Sequence, residues 1–234
     1  MYQLQMRVGY SQLNPEGRLS LTALLDLFQD SATLHGEDYG LGLSVLTEQG
    51  QAWLLSRCRL RFHAPMPCIG QRITVQTQAV SCRMSLLTRR YWLRDEEERL
   101  LAEGEALWVL TNIASHKPIP AASGCQTYLE PEVFPPLSGL PHRLRPPEAY
   151  VTQPPLYITR ELLDTNRHCN NVRAVGVCSR YVPEGFQPSA FAADYHLPLL
   201  PQTAIVPRVT EDESGVTVAL TAEGDLCMIA AFLR

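Results

Sequence analysis

The stretch Leu163-Asp164-Thr165-Asn166-Arg167-His168-Cys169-Asn170-Asn171-Val172 sets a carboxylate, a carboxamide and an imidazole at alternate positions just ahead of a helix start. In extended backbone, side chains two apart share a face, so Asp164, Asn166 and His168 are expected to project together while Thr165 and Arg167 face away. Asn170 or Asn171 can cap a helix over about residues 171–182, where Val172, Val175, Gly176, Ser179 and Val182 keep a rough i, i+3, i+4, i+7 spacing. Helix N-terminal amides attract negative charge, so the trio would sit beside N–H groups able to stabilise an oxyanion. Asp and Asn also gather in turns and at caps for structural reasons alone, and the alternation does not separate the two readings.

Outward from that stretch, the second half gives a short extended segment near 155–160, then the Asp164 loop and the helix. Strand-like segments follow near 189–197, 203–210, 214–221 and 225–233, with Glu223-Gly224-Asp225 as a turn. The first half runs in the same order. An alternating segment at 2–9 leads to a turn around Asn14-Pro15-Glu16-Gly17 and a helix at about 20–35. In that helix Leu21, Leu24, Leu25, Phe28 and Ala32 share a face, and Ser20 or Thr22 can cap it. A Gly-rich connection at 36–42 precedes strand-like segments near 52–64, 71–81, 84–94 and 99–113, with the charged run Arg94–Arg99 as an exposed hairpin tip.

Between the halves, residues 116–155 hold ten of the eighteen prolines. Proline removes backbone donors and restricts its predecessor, so this is a connector and not sheet interior. The expected organisation is a domain at 1–115, a proline-rich linker at 116–154 and a domain at 155–234 that bears the candidate site. Two strand-helix-four-strand halves imply an internal duplication.

The chain of 234 residues is 45% hydrophobic and 19% charged with a formal net charge of −4, ordinary for a compact soluble protein and without general attraction for nucleic acid. The opening segment lacks a signal-peptide core and no run of about 18 apolar residues exists, which points to a cytoplasmic protein without membrane insertion. Seven cysteines lack any Cys-x-x-Cys spacing, so reduced packing thiols are expected and a metal site is not.

The pattern Leu-Asp-x-Asn-x-His-x-Asn-Asn-Val resembles the signature of the acyl-acyl carrier protein thioesterases. Trp53-Leu54-Leu55-Ser56-Arg57, the Pro67-Cys68-Ile69-Gly70 turn and the stretch from Trp108 to Pro120 are similar to looser landmarks of that family, so the resemblance spans nearly the whole chain. It implies an α+β fold of two tandem hotdogs, each an antiparallel sheet wrapped around a central helix, here the helices at 20–35 and 171–182. It also implies hydrolysis of a fatty acyl-acyl carrier protein to free fatty acid without metal or organic cofactor, with Asp164, Asn166 and His168 as the catalytic residues. The first half has only Leu13-Asn14-Pro15-Glu16-Gly17-Arg18 ahead of its helix, so one active site is expected, with the N-terminal half supplying the acyl tunnel.

Thioester hydrolysis needs an activated water, a donor for the oxyanion and an apolar channel. Asp164 can accept a proton or orient the water, Asn166 can hold the water or the carbonyl, and His168 can share proton transfer or donate a hydrogen bond. Cys169 would face away, as a packing thiol. The chain departs from the family at Tyr195-His196-Leu197-Pro198, where proline stands in place of a glutamate assigned an acid-base role, and at Gln202-Thr203 in place of Gly-Asp. Asp194 and His196 lie nearby in sequence. Arg57, Arg59 and Arg61 share a strand face that is either solvated or in contact with an acidic carrier, and Arg143 and Arg145 are either carrier contacts or incidental linker charges. Two rivals stand beside the thioesterase: a hotdog enoyl-thioester hydratase or dehydratase, and a noncatalytic acyl-thioester binding protein. A homodimer is left open, because the duplicated chain already holds the paired hotdogs.

Overall fold

Alternation at the start of the chain produces β1 (Tyr2–Arg7), in which Tyr2, Leu4 and Met6 are half-buried and the residues between them exposed. The structure, a computed structural model, describes residues 1–121, 125, 128–131 and 137–234. Parts of the expected linker, residues 122–124, 126–127 and 132–136, lie outside the described residues. The chain forms two compact units, Met1–Ser56 with Phe62–Ser138, and Arg57–Arg61 with Gly139–Arg234.

In the first unit the long helix α1 (Leu21–Asp38) is capped by Ser20, whose hydroxyl accepts the Ala23 N–H. Its apolar stripe, with Leu24, Leu25, Phe28 and Ala32 buried, lies on the sheet, and Phe28 stacks on Tyr91 at 4.8 Å between ring centroids. Full burial of each of the leucine and phenylalanine side chains is worth about 1.5–3 kcal/mol. The helix runs past Gly36, because glycine there serves close packing: a Cβ would meet the Gly42 backbone at 3.3 Å. A short helix the sequence reading did not anticipate, α2 (Leu43–Glu48), begins where the Glu37 carboxylate accepts the Ser44 amide and hydroxyl. The strands β2 (Gln51–Phe62), β3 (Arg72–Arg83), β4 (Leu86–Asp95) and β5 (Leu100–Asn112) complete the unit in the order β1-β3-β4-β5-β2, with antiparallel β1–β3, β3–β4 and β4–β5 pairs.

The second unit opens with the two-residue strands β6 (Val151–Thr152) and β7 (Leu156–Tyr157). Its helix α3 (Asn171–Ser179) is shorter than expected, because Pro183 bars helical conformation at its predecessor and the chain turns after Arg180. The sheet runs β8 (Ala190–Tyr195), β11 (Asp225–Leu233), β10 (Gly215–Ala222), β9 (Ala204–Asp212), then β6, with β7 also on β9. Residues Arg57–Arg61 of β2 pair antiparallel with β8. The β10–β11 hairpin closes through Glu223 and Gly224, both at positive φ, the backbone a two-residue type I′ turn requires. Val172, Val175 and Cys178 of α3 are buried, and the helix packs on β10.

Candidate active site

The segment expected to be extended is a tight turn. The Asp164 carbonyl accepts the Arg167 N–H at 3.0 Å, the Asp164 N–H donates to the His168 carbonyl at 2.8 Å, and Leu163 and Cys169 close the turn as a bridge pair. Arg167 takes φ +62°, which no extended segment contains. The Asp164 side chain drives this geometry, since its Oδ1 accepts the N–H of Asn166 at 2.8 Å and of His168 at 3.2 Å. Asp164, Asn166 and His168 are half-buried, and Thr165 and Arg167 are exposed.

Asn170 caps α3, its Oδ1 accepting the N–H of Val172 at 2.8 Å and of Arg173 at 3.3 Å. These two amides are therefore engaged within the protein, which corrects the expectation that the helix start offers them to an oxyanion. Among the described residues the Asn166 carboxamide and the His168 ring are bonded to no protein group.

Cys169 is buried, and burial together with the Asp164 charge pushes its thiol up to about 11, too high for a thiolate nucleophile at neutral pH. Its N–H donates to the Leu199 carbonyl at 2.9 Å, which docks the loop carrying Pro198 against the turn. In that loop Pro198 and His196 are exposed, and Gln202 takes φ +66° where the resemblance expects glycine. The Tyr195 hydroxyl donates to the Asn171 carbonyl at 3.3 Å and ties β8 to the first turn of α3.

Asp194 and Arg59 have other work. Both are buried and joined by an ion pair at 2.5 Å. The Arg59 guanidinium also donates to the carbonyls of Cys58, Ala193, Pro141 and His142, while Asp194 Oδ2 accepts the Leu144 N–H at 2.8 Å. Arg59 is thus neither a solvated charge nor a carrier contact. Among the described residues no group of His, Cys, Asp and Glu is arranged to hold a metal ion.

The first unit has no Asp-x-Asn-x-His residues ahead of its helix, yet Leu13–Leu19 forms the same backbone frame as the Asp164 loop. Asn14 N–H donates to the Arg18 carbonyl at 2.7 Å, Gly17 N–H to the Asn14 carbonyl at 2.9 Å, and Leu13 bridges Leu19. Ser20 N–H meets the Gln12 carbonyl as Asn170 N–H meets that of Leu162. The side chains at the matching places are Asn14, Glu16 and Arg18, with the Arg18 guanidinium donating to the Met66 carbonyl. Sequence reasoning missed this frame because it compared residue types; the signal lay in superposing the two helix starts.

A family model described as the acyl-ACP thioesterase N-terminal domain matches residues 1–124, more than half of the chain. Solved structures share the fold. An acyl-ACP thioesterase from Bacteroides thetaiotaomicron is 20% identical, with 99% of this chain and 96% of that one covered at a TM-score of 0.83. A 12:0-ACP thioesterase from Umbellularia californica is 17% identical, with 100% and 96% covered and a TM-score of 0.83. A 1,4-dihydroxy-2-naphthoyl-CoA thioesterase from Synechocystis is 19% identical; 94% of its length covers only 55% of this chain, at a TM-score of 0.50, as expected of a tandem hotdog set against a shorter relative. No curated protein sequence matches. The chain therefore belongs to the acyl-acyl carrier protein thioesterase family, whose members are thioester hydrolases.

Proposed function

We propose that the domain at 155–234 carries the hydrolytic site, formed by Asp164, Asn166 and His168, and that it releases fatty acid from acyl carrier protein in the cytoplasm as part of fatty acid synthesis. The observation that carries this reading is the pair of unengaged side chains, Asn166 and His168, held two residues apart on one turn at a capped helix start. A carboxamide can donate to the thioester oxygen as negative charge develops there, and an imidazole can take the proton of the attacking water and return one to the departing sulfur. The water oxygen bonds to the acyl carbon as the carbon–sulfur bond breaks, and the proton taken from water ends on the departing sulfur, with no redox step.

Incubating the protein with a panel of acyl-acyl carrier proteins tests the proposal. Free thiol and free fatty acid should appear in equal amounts. A change in enoyl absorbance without thiol would instead select the hydratase or dehydratase, and saturable binding without product would select the noncatalytic module.

A further inference from the structure

We infer that Asp164 is a positioning residue whose carboxylate clamps the turn that presents Asn166 and His168, and that it is not the base that deprotonates water. The inference rests on the site proposed above and assigns a division of labour within it.

The two frames supply the argument. In the second unit, Asp164 Oδ1 accepts two main-chain N–H groups, those of the two residues whose side chains are unengaged. Each carboxylate oxygen offers two lone pairs, so Oδ1 is fully committed to the backbone and only Oδ2 is left outside the clamp. In the first unit Asn14 stands at the matching place, and its Oδ1 accepts the Arg18 N–H at 2.9 Å. The turn closes with the same main-chain bonds, and positive φ falls at the matching residues, Gly17 and Arg167. That first frame carries Glu16 and Arg18 in place of the amide and the imidazole, yet it keeps the clamp bond to the residue at the His168 place. Both turns thus place an acceptor oxygen here, a neutral carboxamide that holds one main-chain N–H in the first and a carboxylate that holds two in the second, and the acceptor is present where Asn166 and His168 have no counterpart. Asp164 acts through the two residues whose amides it holds.

The test compares Asp164→Ala, Asp164→Asn and His168→Ala by thiol release across a range of pH, with kcat and KM determined separately. Removing the clamp lets Asn166 and His168 drift, so Asp164→Ala should lower kcat on the order of 10²-fold, the cost of displacing a reacting group by about 1 Å. Asp164→Asn should restore all but about three- to tenfold of that loss and leave the pH–rate profile in place, because the neutral clamp is the one Asn14 provides. His168→Ala should be at least as slow as Asp164→Ala. The inference is overturned if Asp164→Asn stays as inactive as Asp164→Ala while His168 remains essential, or if the acid limb of the pH profile moves in Asp164→Asn; both results leave the site itself standing. Full activity in His168→Ala would remove the site and the inference together.

Discussion

Arg167 holds a left-handed backbone at φ +62°, a conformation that costs an L-residue roughly 1–2 kcal/mol, where the first unit places Gly17 at φ +74°. Glycine gives back part of that gain through its freer unfolded chain. Arg167→Gly should therefore raise stability by up to about 1 kcal/mol, read as a higher urea midpoint at constant slope; a lower midpoint would mean that the exposed side chain has contacts of its own. A second residue answers to pH. His35 on α1 is buried against Arg89, whose Nη1 lies 3.1 Å from its Nδ1, and against the rings of Tyr2, Tyr39 and Tyr128. Burial first, then the Arg89 charge, lowers its pKa from 6.5 to about 4, against smaller opposing pulls from Glu130 and Asp38. The unfolded chain takes up this proton near pH 6.5 and the folded one only near 4. The contribution to stability is complete above pH 6.5 and falls by up to about 1.4 kcal/mol per pH unit as the pH drops toward 4. Unfolding midpoints at pH 7, 5.5 and 4.5 should show this slope, and His35→Gln should flatten it. At this scale the sequence named the polar trio but not what Asp164 does, because alternation assumes extended backbone whereas an Asp can bend the chain onto its own oxygen.

Elements were more legible than contacts. Periodicity locates both helices and all the long strands to within a few residues, since a buried face repeats every two or about three and a half positions whatever it packs against. It says nothing of α2, which depends on the Glu37 side chain as a cap, nor of the place of Arg59. Within β2 the residues Arg57–Arg61 look like any alternating charged strand, and only the partner Asp194 and the carbonyls of Pro141 and His142 make Arg59 a buried tie to the later part of the proline-rich stretch. Asp194→Ala leaves that guanidinium buried without its counter-charge and should cost about 3–5 kcal/mol in denaturant unfolding. A cost near that of an exposed pair, below about 1 kcal/mol, would show the tie to be dispensable. The stacked pair Phe28 and Tyr91 lies on the helix face of the first sheet, the half that the family resemblance makes the acyl tunnel. Phe28→Ala should move preference toward longer acyl chains, in competition between neighbouring chain lengths. Each added methylene is worth about 0.8 kcal/mol, a few-fold per carbon.

For the molecule as a whole, duplication is the main fact: one frame of turn and capped helix occurs in each unit with different side chains, and Pro198 stands in the second copy where the family resemblance implies a glutamate. The exposed Arg143 and Arg145 follow the segment tied down by Arg59 and face solvent on a chain of net charge −4. If they meet an acidic carrier, replacing both by serine should raise KM for acyl carrier protein several-fold and weaken its rise with salt, without change in kcat. An unchanged salt response would make them incidental. The central claim, that the turn of the second unit performs thioester hydrolysis, is tested most directly by single-turnover thiol release from acyl-acyl carrier protein with the wild-type chain and His168→Ala at equal, saturating enzyme. The expected result is rapid release by the wild type and a loss of about 10²–10⁴-fold in the variant with its melting temperature retained; equal rates for the two would contradict it.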